Sequence, residues 1–592
     1  MKSLSIRRLL IFAIAPIVSL SILTACSDDD TIVDIDNGDD NGELNIVEVA
    51  SEDPRFSTLV DLVGDAGLVD ILSNEELTVF APTNSAFDAL FDILDENGIT
   101  LTPEQLVNAL TYHVTEGTIP SSALEAQQDV EMVNEELTII QASAAGVLIN
   151  GRANVIEANI NATNGIIHAI DEVILPTELR VAVEGPSLVE LAQEAGDFNT
   201  LLSLVEQGGL TTTLQFLGPY TAFAPNDAAF DALFSVVDPE TLSEEQLAFI
   251  LTYHVIVGGA IFSGDLAPQQ TVQSANEEEL FITAGEEGVF VNGSTQVINA
   301  DLEASNGVIH VVEDVLLPNA FLNTVQVASK NYNFTTLVGL LSEYPDLVEA
   351  VATSDITVFA PTNSAFDTLF ESVDPATLTE EQIANILLYH TIIGAQVFAG
   401  DLEDEQTVES GSEEALYITA DDEGVVVNGS SNVVTADVTS TNGVIHAIDE
   451  VLLPNAFTPV TGIVAKNYDL TTLLSAVAER ADILATLSGE GTFTVFAPTN
   501  AAFDAAFEAF PNLTSEQITE ILTYHVLTSV VLSSDLSDGQ TAETLQGEEI
   551  SVSIDGGAVQ INNSNVVTVD LEGTNGVVHI IDAVLVPPSF LD

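Results

Sequence analysis

One pattern occurs four times in this 592-residue chain, always in the same order and about 135–143 residues apart. A unit of that length is too long to be one turn of a solenoid and long enough to bury a core of its own. The chain is therefore expected to fold as a row of four copies of one domain. Apolar residues make up 46% and charged residues 17%, which supplies such cores and is not the composition of a disordered chain.

Each copy opens on a strand that runs into a turn and a helix. The four versions are Thr78-Val79-Phe80-Ala81-Pro82-Thr83-Asn84, Thr221-Ala222-Phe223-Ala224-Pro225-Asn226-Asp227, Thr357-Val358-Phe359-Ala360-Pro361-Thr362-Asn363 and Thr494-Val495-Phe496-Ala497-Pro498-Thr499-Asn500. β-Branched and aromatic residues favour the strand, proline ends it, and Thr, Asn or Asp can cap the helix that follows. A capping box then starts a second helix at Thr102–Gln105, Ser243–Gln246, Thr379–Gln382 and Thr514–Gln517. That helix ends in Tyr-His: Tyr112-His113, Tyr253-His254, Tyr389-His390 and Tyr524-His525. An Asn-Gly turn follows at Asn150-Gly151, Asn292-Gly293 and Asn428-Gly429, with Asn562-Asn563 expected to stand in for it in the fourth copy. Last comes Asn-Gly-x-x-His, ending at His168, His310, His446 and His579, and a proline closes each unit at Pro176, Pro318, Pro454 and Pro587.

Phe-Ala-Pro-Thr-Asn, Tyr-His and Asn-Gly-x-x-His in this order and spacing resemble the fasciclin domain, also called FAS1. The resemblance covers residues from about 45 to 590. It implies an α+β fold, four tandem domains that are each a β-sheet wedge with packed helices. The expected boundaries are a signal peptide over 1–25, an acylated cysteine and acidic flexible tether over 26–44, and domains over 45–177, 184–319, 321–455 and 457–590. It further implies cell adhesion or extracellular-matrix binding, because the Tyr-His region of animal fasciclin proteins has been implicated in integrin binding. Tyr112, His113, Tyr253, His254, Tyr389, His390, Tyr524 and His525 are thus the candidate adhesion motif.

All eight histidines fall in these two motifs, one pair per copy, 54–56 residues apart. A structural reading has both partly buried and hydrogen-bonded, and His168, His310, His446 and His579 are assigned to it. A zinc reading lacks a third ligand at recurring local spacing and has no cysteine to use. A catalytic reading lacks a nucleophile on a sharp supported turn of the G-x-S-x-G kind. No catalytic, metal or cofactor residue is therefore assigned, and the chain is read as a binding protein and not as an enzyme.

The N-terminus and the charge place it. Lys2, Arg7 and Arg8 precede an apolar run from Leu9 to Leu23, which reads as a secretory signal. Leu23-Thr24-Ala25-Cys26 resembles a bacterial lipobox, and Cys26 is the only cysteine of the chain, so Cys26 is the expected lipidation site. The expected location is the outer membrane or cell surface, lipid-anchored and exported. With 92 acidic and 9 basic residues the formal charge is −83. Such a surface repels nucleic acid, attracts divalent cations loosely and needs salt to screen its self-repulsion. The expected partner is a protein or polysaccharide on cells or matrix. Alternatives are a surface lipoprotein that binds a small molecule or polysaccharide, and a ligand-free spacer.

Overall fold

The computed structural model describes residues 44–590. The signal segment, Cys26 and the acidic tether lie outside the described residues. The chain forms two compact bodies, one ending at Pro318 and the other beginning at Asn319, each holding two copies of the repeat.

The first copy shows how the repeat folds. Three short helices, α1 (Ile46–Glu52), α2 (Ser57–Asp65) and α3 (Val69–Asn74), lead into strand β1 (Leu77–Pro82). Helices α4 (Asn84–Glu96) and α5 (Pro103–Thr111) follow, then strands β2 (Val114–Glu116), β3 (Gln127–Glu131), β4 (Leu137–Ser143), β5 (Gly146–Ile149), β6 (Ala153–Ala162) and β7 (Gly165–Ile170). The strand order is β2-β1-β7-β6-β5-β4-β3, and it recurs in all four copies. Only the β1–β7 pair is parallel. The long strand β6 pairs with β5 on one side and β7 on the other, so two ladders meet in it and make the wedge.

Strands β1 and β7 are buried along their whole length because they carry a core on each face. Leu77, Val79, Ala81, Ile167 and Ala169 face the helices. Phe80 and Ile170 face the other way, toward Ile140, Ile149 and Tyr112. The period-2 alternation of a strand thus separates two apolar cores rather than a core from solvent.

The local signals of the sequence are realised. All four capping boxes form, with Thr102, Ser243, Thr379 and Thr514 as N-caps. The turn between β5 and β6 differs from expectation in the fourth copy. Ile149 pairs with Ala153 across three residues, as Val291 does with Thr295 and Val427 with Ser431, whereas Ile561 pairs with Ser564 across two. Asn562 keeps the positive φ of Asn150, but the glycine position is deleted rather than filled by Asn563.

Candidate functional site

The Tyr-His pair lies at the junction of α5 and β2, and the fold turns both rings inward. Tyr112 is fully buried and His113 is 1% exposed, and the three other pairs are equally enclosed. The Tyr112 hydroxyl donates to the Leu137 carbonyl at 3.1 Å and accepts from Asn150 Nδ2 at 3.1 Å. The same Asn150 accepts the Ile139 N–H at 3.0 Å. Tyr253–Asn292, Tyr389–Asn428 and Tyr524–Asn562 repeat the bond at 2.9, 3.0 and 3.1 Å. The tyrosine therefore ties the end of the second long helix to the Asn turn almost forty residues on.

The histidine ties the same helix end to the segment after the closing strand. His113 Nδ1 lies 2.7 Å from the Ala109 carbonyl, and its Nε2 accepts the Ile174 N–H at 3.1 Å. A ring that accepts at Nε2 must carry its proton on Nδ1. His254, His390 and His525 make the same two bonds, to Leu316, Leu452 and Leu585. Burial drives all four imidazoles down to about 4, outweighing the carbonyl bond that favours the charged ring.

The second histidine has the opposite tautomer. His168 Nδ1 accepts the Asn159 N–H at 3.4 Å, so Nε2 donates to the Ile119 carbonyl at 2.9 Å. Asn159 sits in the bulge of β6 at φ 62°, as Asp301, Asp437 and Asp570 do in the other copies. The acceptor of this ring thus holds a strained backbone turn in place, and Phe80 stacks on it at 5.5 Å. Both nitrogens of every histidine are engaged with backbone groups. Among the described residues no group of three or more His, Cys, Asp or Glu is placed to hold a metal ion.

Asn164, at the head of Asn-Gly-x-x-His, is satisfied three times over. Its Oδ1 accepts the Ile46 N–H at 2.8 Å, and its Nδ2 donates to the Leu72 and Glu75 carbonyls at 2.9 and 2.8 Å. One amide joins the start of α1 to the end of α3. Gly165 next to it begins the parallel pairing with β1, and a Cβ there would stand 1.9 Å from the Leu77 carbonyl oxygen. The motif is the joint between helices and sheet.

Two basic residues, Arg180 and Lys466, serve joints of another kind. Arg180, in the helix Thr177–Glu184 that connects the first copy to the second, and Glu190 of the second copy form an ion pair at 2.5 Å with side chains about 10% exposed. Burial pushes Glu190 up, but Arg180 and Ser187 pull it further down, and it stays ionised. Gln215 also reaches Glu190 at 2.7 Å, and Ile139 of the first copy packs into the core of the second. Between the third and fourth copies, Lys466 Nζ donates to the Leu453 carbonyl at 2.5 Å and lies 5.3 Å from the Tyr389 ring centre. Each of these two junctions is packed rather than strung on a loose linker.

What the four copies share on the surface is a different residue. Ile156, Ile298, Val434 and Val567 hold the same position on the bulged strand, and they are 52%, 49%, 56% and 56% exposed. Sequence reasoning missed them, although the aligned copies carry the signal: the position is β-branched every time.

The fasciclin domain family model matches residues 54–176, 196–318, 332–454 and 469–587. The chain belongs to the fasciclin family. It is 27% identical over 521 residues to transforming growth factor-beta-induced protein ig-h3 of Sus scrofa, covering 86% of this chain and 73% of that one. It is 25% identical to human periostin over 88% of this chain and 60% of periostin. The fasciclin-like arabinogalactan protein CTB11 of Cercospora beticola is 28% identical over 46% of this chain and 75% of its own length. Among solved structures, the FAS1 domain pair of the insect cell adhesion molecule Fasciclin I matches 43% of this chain and 98% of that chain, at 20% identity and a TM-score of 0.35. As a fasciclin chain, it has four tandem α+β domains, each a seven-stranded sheet with helices. Among the described residues no helix is long and apolar enough to cross a membrane.

Proposed function

We propose that this fasciclin protein is a multivalent adhesion or matrix-binding protein, exported and held at the outer membrane or cell surface by acylation of Cys26. Fasciclin domains occur in cell-adhesion and extracellular-matrix proteins. The observation that carries the reading is the exposed β-branched residue repeated at one strand position in all four copies. A single exposed apolar side chain needs no explanation, but the same one held four times on one chain suits a contact made repeatedly.

The Tyr-His pairs act in this scheme from inside. Their rings are enclosed, so a partner meets the surface they fix and not the rings themselves. Each domain offers a weak contact, and linkage turns four weak contacts into avidity through effective concentration. The partner is a protein or polysaccharide on cells or matrix, with divalent cations screening the acidic surface. Deleting the gene tests the role: attachment and biofilm are expected to fall, and unchanged attachment in several media would remove the proposal.

A further inference from the structure

A cavity lies between the helices and the sheet in the second domain, and it is larger than its counterparts in the first and fourth domains. The space open to the centre of a water-sized sphere is about 70 Å³. At the same location in the first and fourth domains it is about 30 Å³ each. The cause is legible in the aligned strands. Val79 and Val495 line the cavities of the first and fourth domains, and Val358 holds the same strand position in the third. In the second domain that position is Ala222. Ala275 lines the cavity as well, where the first and fourth domains carry Val133 and Leu545. The third domain carries Gly411 at the Ala275 position, so it is the Ala222 position, valine in the three other copies, that sets the second domain apart.

The wall of the cavity fixes the chemistry of what can enter. Thr252 and His254 are the polar side chains among the residues that line it. The Thr252 hydroxyl donates to the Ala248 carbonyl at 2.8 Å. His254 is bonded at both nitrogens, at 2.8 Å to the Ile250 carbonyl and at 2.9 Å by the Leu316 N–H. Neither has a proton free to donate to a guest, and no charged side chain lines the space. A charged or strongly polar molecule would lose its hydration there and gain nothing. Leu201 and Leu214, both partly exposed, form an apolar rim.

An apolar space left unfilled forfeits dispersion contacts along its lining and costs stability. A guest that fills it recovers dispersion contacts on every side. We propose that the second domain, unlike the first and fourth, binds a neutral hydrocarbon-like small molecule in the cavity lined by Ala222 and Ala275. This activity is separate from adhesion and does not depend on it.

The test uses the chain with all four domains and the neutral fluorescent probe N-phenyl-1-naphthylamine. Titration is expected to saturate at about one probe per chain. Two variants refill the space, Ala222→Val with the residue of the three sister domains and Ala275→Val with the residue of the first. Each is expected to weaken binding at least tenfold while the unfolding midpoint stays level or rises, which separates a filled cavity from an unfolded domain. Absence of saturable binding by the unaltered chain would overturn the proposal, and so would undiminished binding in either folded variant.

Discussion

The imidazole of His113 accepts the backbone N–H of Ile174 at 3.1 Å while its other nitrogen is held 2.7 Å from the Ala109 carbonyl. The ring is a neutral clasp between the end of α5 and the chain that leaves the sheet. Charging it would set an N–H against the N–H of Ile174 and break the clasp.

A pH dependence follows with a definite sign. Buried at about 4, His113, His254, His390 and His525 bind a proton less readily than in the unfolded chain, where the value is about 6.5. Between those limits the unfolded state holds more protons, so stability is full above pH 6.5 and is lost as pH falls toward 4. The loss amounts to about 2 kcal/mol per domain at pH 5. Urea midpoints measured from pH 7 to 4.5 in high salt are expected to fall, and a flat profile would count against the neutral clasp.

Replacing Asn164 by aspartate keeps the shape and removes the two N–H donors. The Leu72 and Glu75 carbonyls then face a carboxylate across 2.8–2.9 Å. The first domain is expected to lose about 3 kcal/mol or more, from two unmet acceptors and their repulsion. Chemical denaturation checks this. A shift within about 0.5 kcal/mol, typical of a surface change, would refute the joint.

Arg180→Ala strands the Glu190 carboxylate in a buried junction. The cost is expected to be about 3–5 kcal/mol, felt by the first two domains together. Calorimetry should then resolve their unfolding from each other. A thermogram like that of the unaltered chain would mean that the pair does not couple them.

Self-repulsion from a charge of −83 should make the fold salt-requiring. Raising NaCl from about 0.01 M to 0.15 M shortens the screening length from about 30 Å to about 8 Å. The thermal midpoint is expected to rise over that range, and a constant midpoint would contradict it.

The sequence disclosed whatever depended on near neighbours. The box of Thr102 and Gln105 spans one helical turn, so residue types at fixed spacing suffice to define it. The partner of Tyr112 did not show, because Asn150 reaches it only through the register of β4 and β5. Motifs that read as separate signals, Tyr-His and Asn-Gly, are two ends of one bond. The deleted glycine at Asn562-Asn563 was hidden for the same reason, since turn length is set by which residues pair across it. Ile156 escaped notice because Val155 beside it is also apolar, and the register shift after Val155 decides which of them faces out. Ala222 was visible in the aligned strands, but a valine-to-alanine change acquires meaning only once a cavity is seen behind it.

The most direct test of the central claim is the rate at which the complete chain leaves a surface coated with biofilm matrix from the producing cells. Single replacement of Ile156, Ile298, Val434 or Val567 by serine should speed release a few-fold, and all four together should speed it by roughly 100-fold or more, as avidity collapses. Release of the fourfold variant at the rate of the unaltered chain would contradict adhesion through this repeated position.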